Sequence, residues 1–179
     1  MIIKAEIIDQ PYSGEYKEKI YDITSTWNSQ NWTWVKFLNE DFTEWCGEFR
    51  GLGRGIAISK KYNQVLILTS DYLFQINCIN FEIIDYECQP QYQNLTVTPL
   101  GDFLLADYYD IYLLGASLDD RTPLASPFNM DMITFRGWSN NKLQLTCDKF
   151  LNLDKHVELQ LDFETLEISL KKQNRNSEG

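Results

Sequence analysis

The chain has 179 residues, of which 44% are hydrophobic, 14% aromatic and 23% charged, ordinary globular usage tilted toward rings. Its 16 Lys+Arg against 26 Asp+Glu leave a formal net charge of −10. That balance argues against a nucleic-acid binder, which needs a basic face to displace counterions from phosphates, and against docking on anionic lipid.

No apolar run approaches the roughly 20 residues of a membrane-spanning helix. Met1-Ile2-Ile3-Lys4-Ala5-Glu6 mixes apolar and charged residues where a secretory signal would be continuously apolar. The expectation is one cytoplasmic, monomeric domain over 1–170. Residues 172–179 contain no apolar side chain, so 171–179 should form a disordered polar tail.

Taken in chain order, the dominant period is two. Residues 2–8 are rich in isoleucine and closed by Asp9-Gln10-Pro11, which predicts a strand. Residues 16–24 alternate tyrosine and isoleucine with polar residues and predict a second. Trp32-Thr33-Trp34-Val35-Lys36-Phe37 predicts a third, with Trp32 and Trp34 sharing a face that in a small β protein is usually the buried one. Residues 38–46 are ambiguous: a minor helix fits, but Gly47 and the strand formers after it favour a hairpin. Arg50-Gly51-Leu52-Gly53-Arg54-Gly55 has the spacing G-x-G-x-G and leads into the β-rich Ile56-Ala57-Ile58-Ser59. A phosphate cradle needs G-x-G-x-x-G with a helix behind it, so this segment reads as an inter-strand loop.

A repeat follows. Short β-rich runs at 56–59, 95–98 and 132–135 each precede a turn at Asn63, Gly101 or Asn141, then an apolar strand, then an aspartate, then another strand. Asp71, Asp110 and Asp148 mark the second turn and lie 39 and 38 residues apart. Three-strand units of about 40 residues match the scale of a propeller blade, although a ring needs at least about four. Residues 16–50 could supply a degenerate fourth. The predicted fold class is therefore all-β, an antiparallel meander that is propeller-blade-like or an open twisted sheet or sandwich. Residues 115–132, with Pro123 and Pro127, predict an exposed loop. Residues 157–163 and 166–170 alternate strictly around Glu164-Thr165 and predict a terminal hairpin.

Cys46, Cys78, Cys88 and Cys147 include no C-x-x-C pair and are read as buried, reduced thiols. The single histidine, His156, falls in a polar stretch read as a turn, which leaves imidazole-based catalysis improbable. No D-x-D-x-D-G loop occurs, so neither a metal nor a cofactor is expected. Paired acids such as Asp107 and Asp110 could in principle cleave a glycoside, but 26 carboxylates produce close pairs by chance. A carbohydrate or small-ligand module using Trp27, Trp32 and Trp34 is the alternative reading, and an assembly component a third.

The acidic balance itself suits binding to a basic protein, because complementary charge speeds encounter while tyrosines anchor the contact. The candidate contacts are loop residues: Glu40, Asp41, Glu44, Asp107, Tyr108, Tyr109, Asp110, Asp119 and Asp120. Reversing Asp119 and Asp120 to lysine should slow association and flatten its salt dependence. The stretch Trp45-Cys46-Gly47-Glu48-Phe49-Arg50-Gly51, with Ile56-Ala57-Ile58-Ser59 and Leu68-Thr69-Ser70-Asp71-Tyr72-Leu73-Phe74, resembles small β proteins encoded as immunity partners of bacterial polymorphic toxins. The likeness covers under a quarter of the chain. It implies a stoichiometric, non-catalytic inhibitor, often of a basic nuclease toxin domain, and carries over no binding residues.

Overall fold

Two-residue alternation runs through nearly the whole chain. The computed structural model, which describes residues 1–171, turns it into sixteen strands with no helix among them. The first sheet holds β1 (Ile2–Ile8), β2 (Lys17–Tyr21), β3 (Trp32–Asn39) and β4 (Glu44–Arg50), in the order β1-β3-β4-β2 with β2 added parallel to β4. The other three are antiparallel meanders. The second holds β5 (Gly53–Ser59), β6 (Gln64–Thr69), β7 (Tyr72–Asn77) and β8 (Ile83–Cys88). The third holds β9 (Asn94–Val97), β10 (Phe103–Ala106), β11 (Ile111–Leu114) and β12 (Arg121–Pro123). The fourth holds β13 (Met130–Ser139), β14 (Lys142–Lys149), β15 (Asn152–Asp162) and β16 (Ile168–Leu170). None closes into a barrel. With no helix among the described residues, none is long and apolar enough to cross a membrane.

Burial patterns show why these sequences stack as they do. Every residue of β6 and of β10 is buried, because the second and third sheets are covered on both faces. Val65 and Ile67 point to the first sheet and meet Val35, Phe37 and Phe49; Leu66 and Leu68 point to the third and meet Phe103 and Leu105. Strands β3 and β14 instead alternate buried and half-exposed along their length, since the first and fourth sheets are covered on one face only. The third core joins Leu104, Ala106 and Ile111 to Leu143, Leu145, Leu159 and Leu161. Among the described residues no core joins the fourth sheet back to the first, and strands β1, β5, β9 and β13 lie side by side in that order. The result is an open, propeller-like arc of four blades.

Residues 40–43 form the favoured hairpin turn and leave no minor helix: the Asp41 carboxylate accepts the N–H and hydroxyl of Thr43, while Phe42 takes φ 63°. Other expectations are corrected. Trp32 and Trp34 do share a face of β3, but it is the half-exposed one; Thr33, Val35 and Phe37 face the core. His156 lies within β15 opposite Asp148, whose carboxylate it meets, and not in a turn. Cys46, Cys78 and Cys147 are buried free thiols that burial pushes up to about 11, whereas Cys88 is exposed at the end of β8. Each repeat unit carries a fourth strand, and β12 forms inside the stretch expected to be loop. Its Pro123 is tolerated because β12 is an edge strand. Lys171, placed in the expected tail, donates its N–H to the Glu158 carbonyl; residues 172–179 lie outside the described residues.

The 38–39-residue recurrence is real at the level of architecture. Asp71 and Asp110 stand at the connection between the second and third strands of their sheets, while Asp148 lies near the end of β14, just before the corresponding turn at 150–151. The glycine segment is structural: Gly51 takes φ 103° and donates to the Asn31 carbonyl, and β5 bulges between Gly53 and Gly55.

Candidate functional site

Alternating strand direction gathers the turns at two rims. One holds Met1 and the turns at 40–43, 60–63, 78–82, 99–102 and 115–120; bonds from Ile2 N to Cys78 O, Cys78 N to Asn63 O and Gln75 Nε2 to Ala116 O knit it together. The other holds Asp71 and the segments 22–31, 89–93, 107–110, 124–129 and 150–151. It is tied by Gln89 N to Asp71 O, Ile133 N to Tyr108 O and Phe150 N to Asn129 O. The nine candidates therefore split. Glu40, Asp41, Glu44, Asp119 and Asp120 stand on the Met1 rim, while Asp107, Tyr108, Tyr109 and Asp110 stand on the Asp71 rim.

Most acids of the Met1 rim are engaged within the chain. The Glu40 carboxylate lies 3.8 Å from the amino terminus, and Glu44 lies 3.7 Å from Lys36, which also pairs with Glu6 at 2.8 Å. The Thr43 hydroxyl and N–H hold the Asp41 carboxyl below its usual range. A Cβ on Gly115 would stand 2.8 Å from Asp120 Oδ2, so that carboxylate is packed on the backbone of its own loop. Asp119 is exposed.

The Asp71 rim differs. Asp107 is a turn-former: its Oδ1 accepts the N–H groups of Tyr109 and Asp110 at 2.7 and 2.8 Å, and its Oδ2 accepts the Tyr112 hydroxyl at 3.3 Å. Desolvation, reinforced by the charges of Asp107 and Asp110, pushes the Tyr112 hydroxyl up to about 12. That turn projects Tyr108 and Tyr109 outward, 42% and 51% exposed, with ring centroids 6.3 Å apart. Phe150, from the neighbouring β14–β15 turn, sets its ring edge-on to Tyr109 at 6.1 Å and 79°. Leu151 beside it is 87% exposed at φ 61°, and the exposed Met132 takes φ 52° on β13. A groove of about 420 Å³ opens here, lined by Tyr109, Asp110, Ser126, Asn129, Met130 and Phe150. The sequence pattern points to Tyr109 and Asp110 but not to Phe150 and Leu151, which follow Lys149 like a continuing strand until the left-handed backbone at Leu151 turns them out.

Asp71 itself is buried. It accepts the Ser29 N–H at 2.6 Å and the Ser70 hydroxyl at 2.7 Å, fastening residues 22–31 of the first sheet onto the second. Of the three tryptophans, Trp27 is exposed and Trp32 and Trp34 are half-exposed. The Arg50 guanidinium lies 3.8 Å over Trp32, held by Asp22 through Nε at 3.0 Å and Nη2 at 2.6 Å, so one face of that ring is taken. Arg50 in turn holds the Asp22 carboxyl below its usual range. Among the described residues, no group of three His, Cys, Asp or Glu is placed to hold a metal ion.

No family model matches the chain, and no curated protein matches it. Among solved structures it is similar to the dihydro-heme d1 dehydrogenase NirN in complex with DHE, at TM-score 0.51 and 15% identity, over 80% of this chain. The chain spans about a third of that protein's length (34%). At this identity the likeness concerns the fold alone, and it agrees with a propeller-like array of four-stranded sheets. A protein of unknown function from Bacteroides caccae overlays 87% of this chain and 72% of its own at 15% identity, but a TM-score of 0.35 is too loose to bear on the fold.

Proposed function

We propose that this chain is a non-catalytic, acidic binding protein of the cytoplasm that neutralises a basic protein partner, with a nuclease-type toxin domain as the class of target. The observation that carries the reading is the exposed Tyr108–Tyr109–Phe150 cluster beside Asp110, on a chain of net charge −10. Exposed tyrosines at a turn fixed by Asp107 supply large, stiff contact area at low entropic cost, the usual make-up of an interface anchor. The surrounding negative field draws a basic partner in and speeds encounter. The reading assigns binding to the Asp71 rim and leaves the acids of the Met1 rim to long-range attraction.

The test is a tagged capture from lysate of the source organism at low and moderate salt, followed by calorimetry of the purified partner. The expected result is a basic protein bound one to one, with affinity reduced at least about tenfold by Tyr108→Ala with Tyr109→Ala. Capture of nothing at either salt, or an affinity untouched by that double variant, would overturn it.

A further inference from the structure

The groove between the β10–β11 and β14–β15 turns has a chemistry that this molecule uses elsewhere. Arg50 sits on the Trp32 ring at 3.8 Å with its fork on the Asp22 carboxylate. Arg121 uses the same residue types in another geometry, donating to the Tyr92 hydroxyl and to Glu87, the latter at 2.7 Å. In both places an aromatic residue and a carboxylate together hold a guanidinium, and at Trp32 the ring does so with its face. The groove brings the same two partners together: the Tyr109 and Phe150 rings as walls and the Asp110 carboxylate, above the apolar floor of Met130. Here, however, no cation of the described residues pairs with Asp110. The nearby Lys149 lies with its ammonium 5.1 Å from the Phe128 ring centre. Nor is Asp110 spent on its own turn, since it is Asp107 that accepts the turn's N–H groups.

We infer that this groove receives an arginine side chain from the partner, its guanidinium lying against Tyr109 and Phe150 and its N–H groups donating to the Asp110 carboxylate. This deepens the reading of the chain as a receptor for a basic protein and rests on it. Arginine suits the place better than lysine for three reasons. Its planar group fits against ring faces, it gives up hydration more easily, and its paired N–H groups match a carboxylate. Asn129 lines the same groove, and its side-chain amide carries a carbonyl suited to a second N–H. The overall charge of −10 favours the cation's arrival from any direction.

The experiment titrates the full chain with acetyl-Gly-Arg-Gly-amide and follows the Tyr109 and Phe150 ring signals by NMR. Parallel titrations use the same peptide carrying citrulline, which keeps the shape and loses the charge, or lysine. The expected result is saturable shifts confined to the groove with the arginine peptide, binding weaker by at least about tenfold with citrulline, and lysine in between. Asp110→Asn should weaken the arginine peptide about tenfold, Phe150→Leu should weaken it without abolishing it, and Asp119→Asn on the opposite rim should change nothing. All three positions are exposed, and an unchanged amide spectrum reports that the variants remain folded. Equal shifts with arginine and citrulline, or arginine shifts indifferent to Asp110→Asn, overturn the inference. The outcomes also separate the two readings. A captured basic protein with no arginine response leaves the partner reading standing and removes this groove as its arginine pocket. A clear arginine response with no protein captured removes the partner reading instead.

Discussion

The first and last inter-sheet cores solve the same packing problem with different residues. Between the first two sheets the filling is aromatic: Tyr21 stacks on Phe49 at 4.5 Å, Phe37 on Trp45 at 4.4 Å, and Phe49 meets Phe74 edge-on at 5.3 Å. Between the last two it is aliphatic, built from Leu104, Ile111, Leu143, Leu145, Leu159 and Leu161. The first arrangement spends its rings inside. The second leaves Tyr108, Tyr109 and Phe150 on the outside, at the rim above a core that does not need them. Ring content is thus a poor guide to function until burial is known. At one end of the arc the rings fill a core, and at the other three of them stand exposed at the rim.

The largest effect should come from breaking the aromatic core. Phe49 is fully buried among Tyr21, Phe37 and Phe74, and Gly47 gives it room: a Cβ there would stand 2.7 Å from the Phe49 ring and 2.9 Å from Phe37. Phe49→Ala should therefore cost about 3–5 kcal/mol in urea unfolding. A loss below about 1 kcal/mol would mean that the two sheets collapse freely onto the cavity and that the rings are interchangeable filler.

Next comes the fastening of the first sheet to the second at Asp71. Asp71→Ala strands the Ser29 N–H and the Ser70 hydroxyl, and should cost about 2 kcal/mol, the worth of hydrogen bonds to a buried charged acceptor. Hydrogen exchange should locate the loss in residues 22–31. Protection unchanged there would show that the aromatic core alone holds the first sheet in place.

How much of this contrast could be read in the sequence follows from the same packing. The unbroken apolar runs at 65–68 and 103–106 belong to strands covered on both faces, and the strict alternation after Asn141 belongs to a strand covered on one, so position within the stack was already written in the pattern. The parallel placement of β2 was not, because pairing between residues 28 apart leaves no local period. Nor was β12, a three-residue edge strand held by pairing to β11 and carrying a proline. Missing the fourth strand of each unit had a consequence for the site. With three strands per unit successive aspartate turns would point to opposite rims, whereas four return Asp71 and Asp110 to the same one. The parity of the strand count decides which aspartate turns can act together, while the single strand β11 places Asp119 on the rim opposite Asp110.

A smaller effect distinguishes the two middle sheets from the ends. Asp102, on the turn after β9, is pushed up by desolvation, but hydrogen bonds from Lys61 at 2.7 Å and from Tyr62 outweigh this and hold its carboxyl below the usual range. A depressed carboxylate contributes stability that is complete above its unfolded pKa of about 3.9 and is lost as pH falls through the lower folded value. Asp102→Asn should therefore lower stability by about 1 kcal/mol near neutral pH, and the gap to the parent should close as pH falls below the usual carboxylate range. A gap independent of pH would assign the loss to packing and not to charge.

The smallest effect on stability should fall where the effect on binding is greatest. Tyr109 is half-exposed, its ring touches only Tyr108 and Phe150 among aromatic neighbours, and its backbone N–H bond to Asp107 survives truncation of the side chain. Tyr109→Ala and Phe150→Ala should each move unfolding free energy by no more than about 0.5 kcal/mol, the range of surface substitutions that break no buried contact. Reversing Asp119 and Asp120, on the other rim, should change only the salt-dependent association rate, because the proposed interface lies on the Asp71 rim and leaves that loop to attract at a distance. If Tyr109→Ala instead unfolds the last two sheets, the exposed rings belong to the core after all. The division between an aromatic interior at one end and an aromatic surface at the other would then fail at the point where it matters for function.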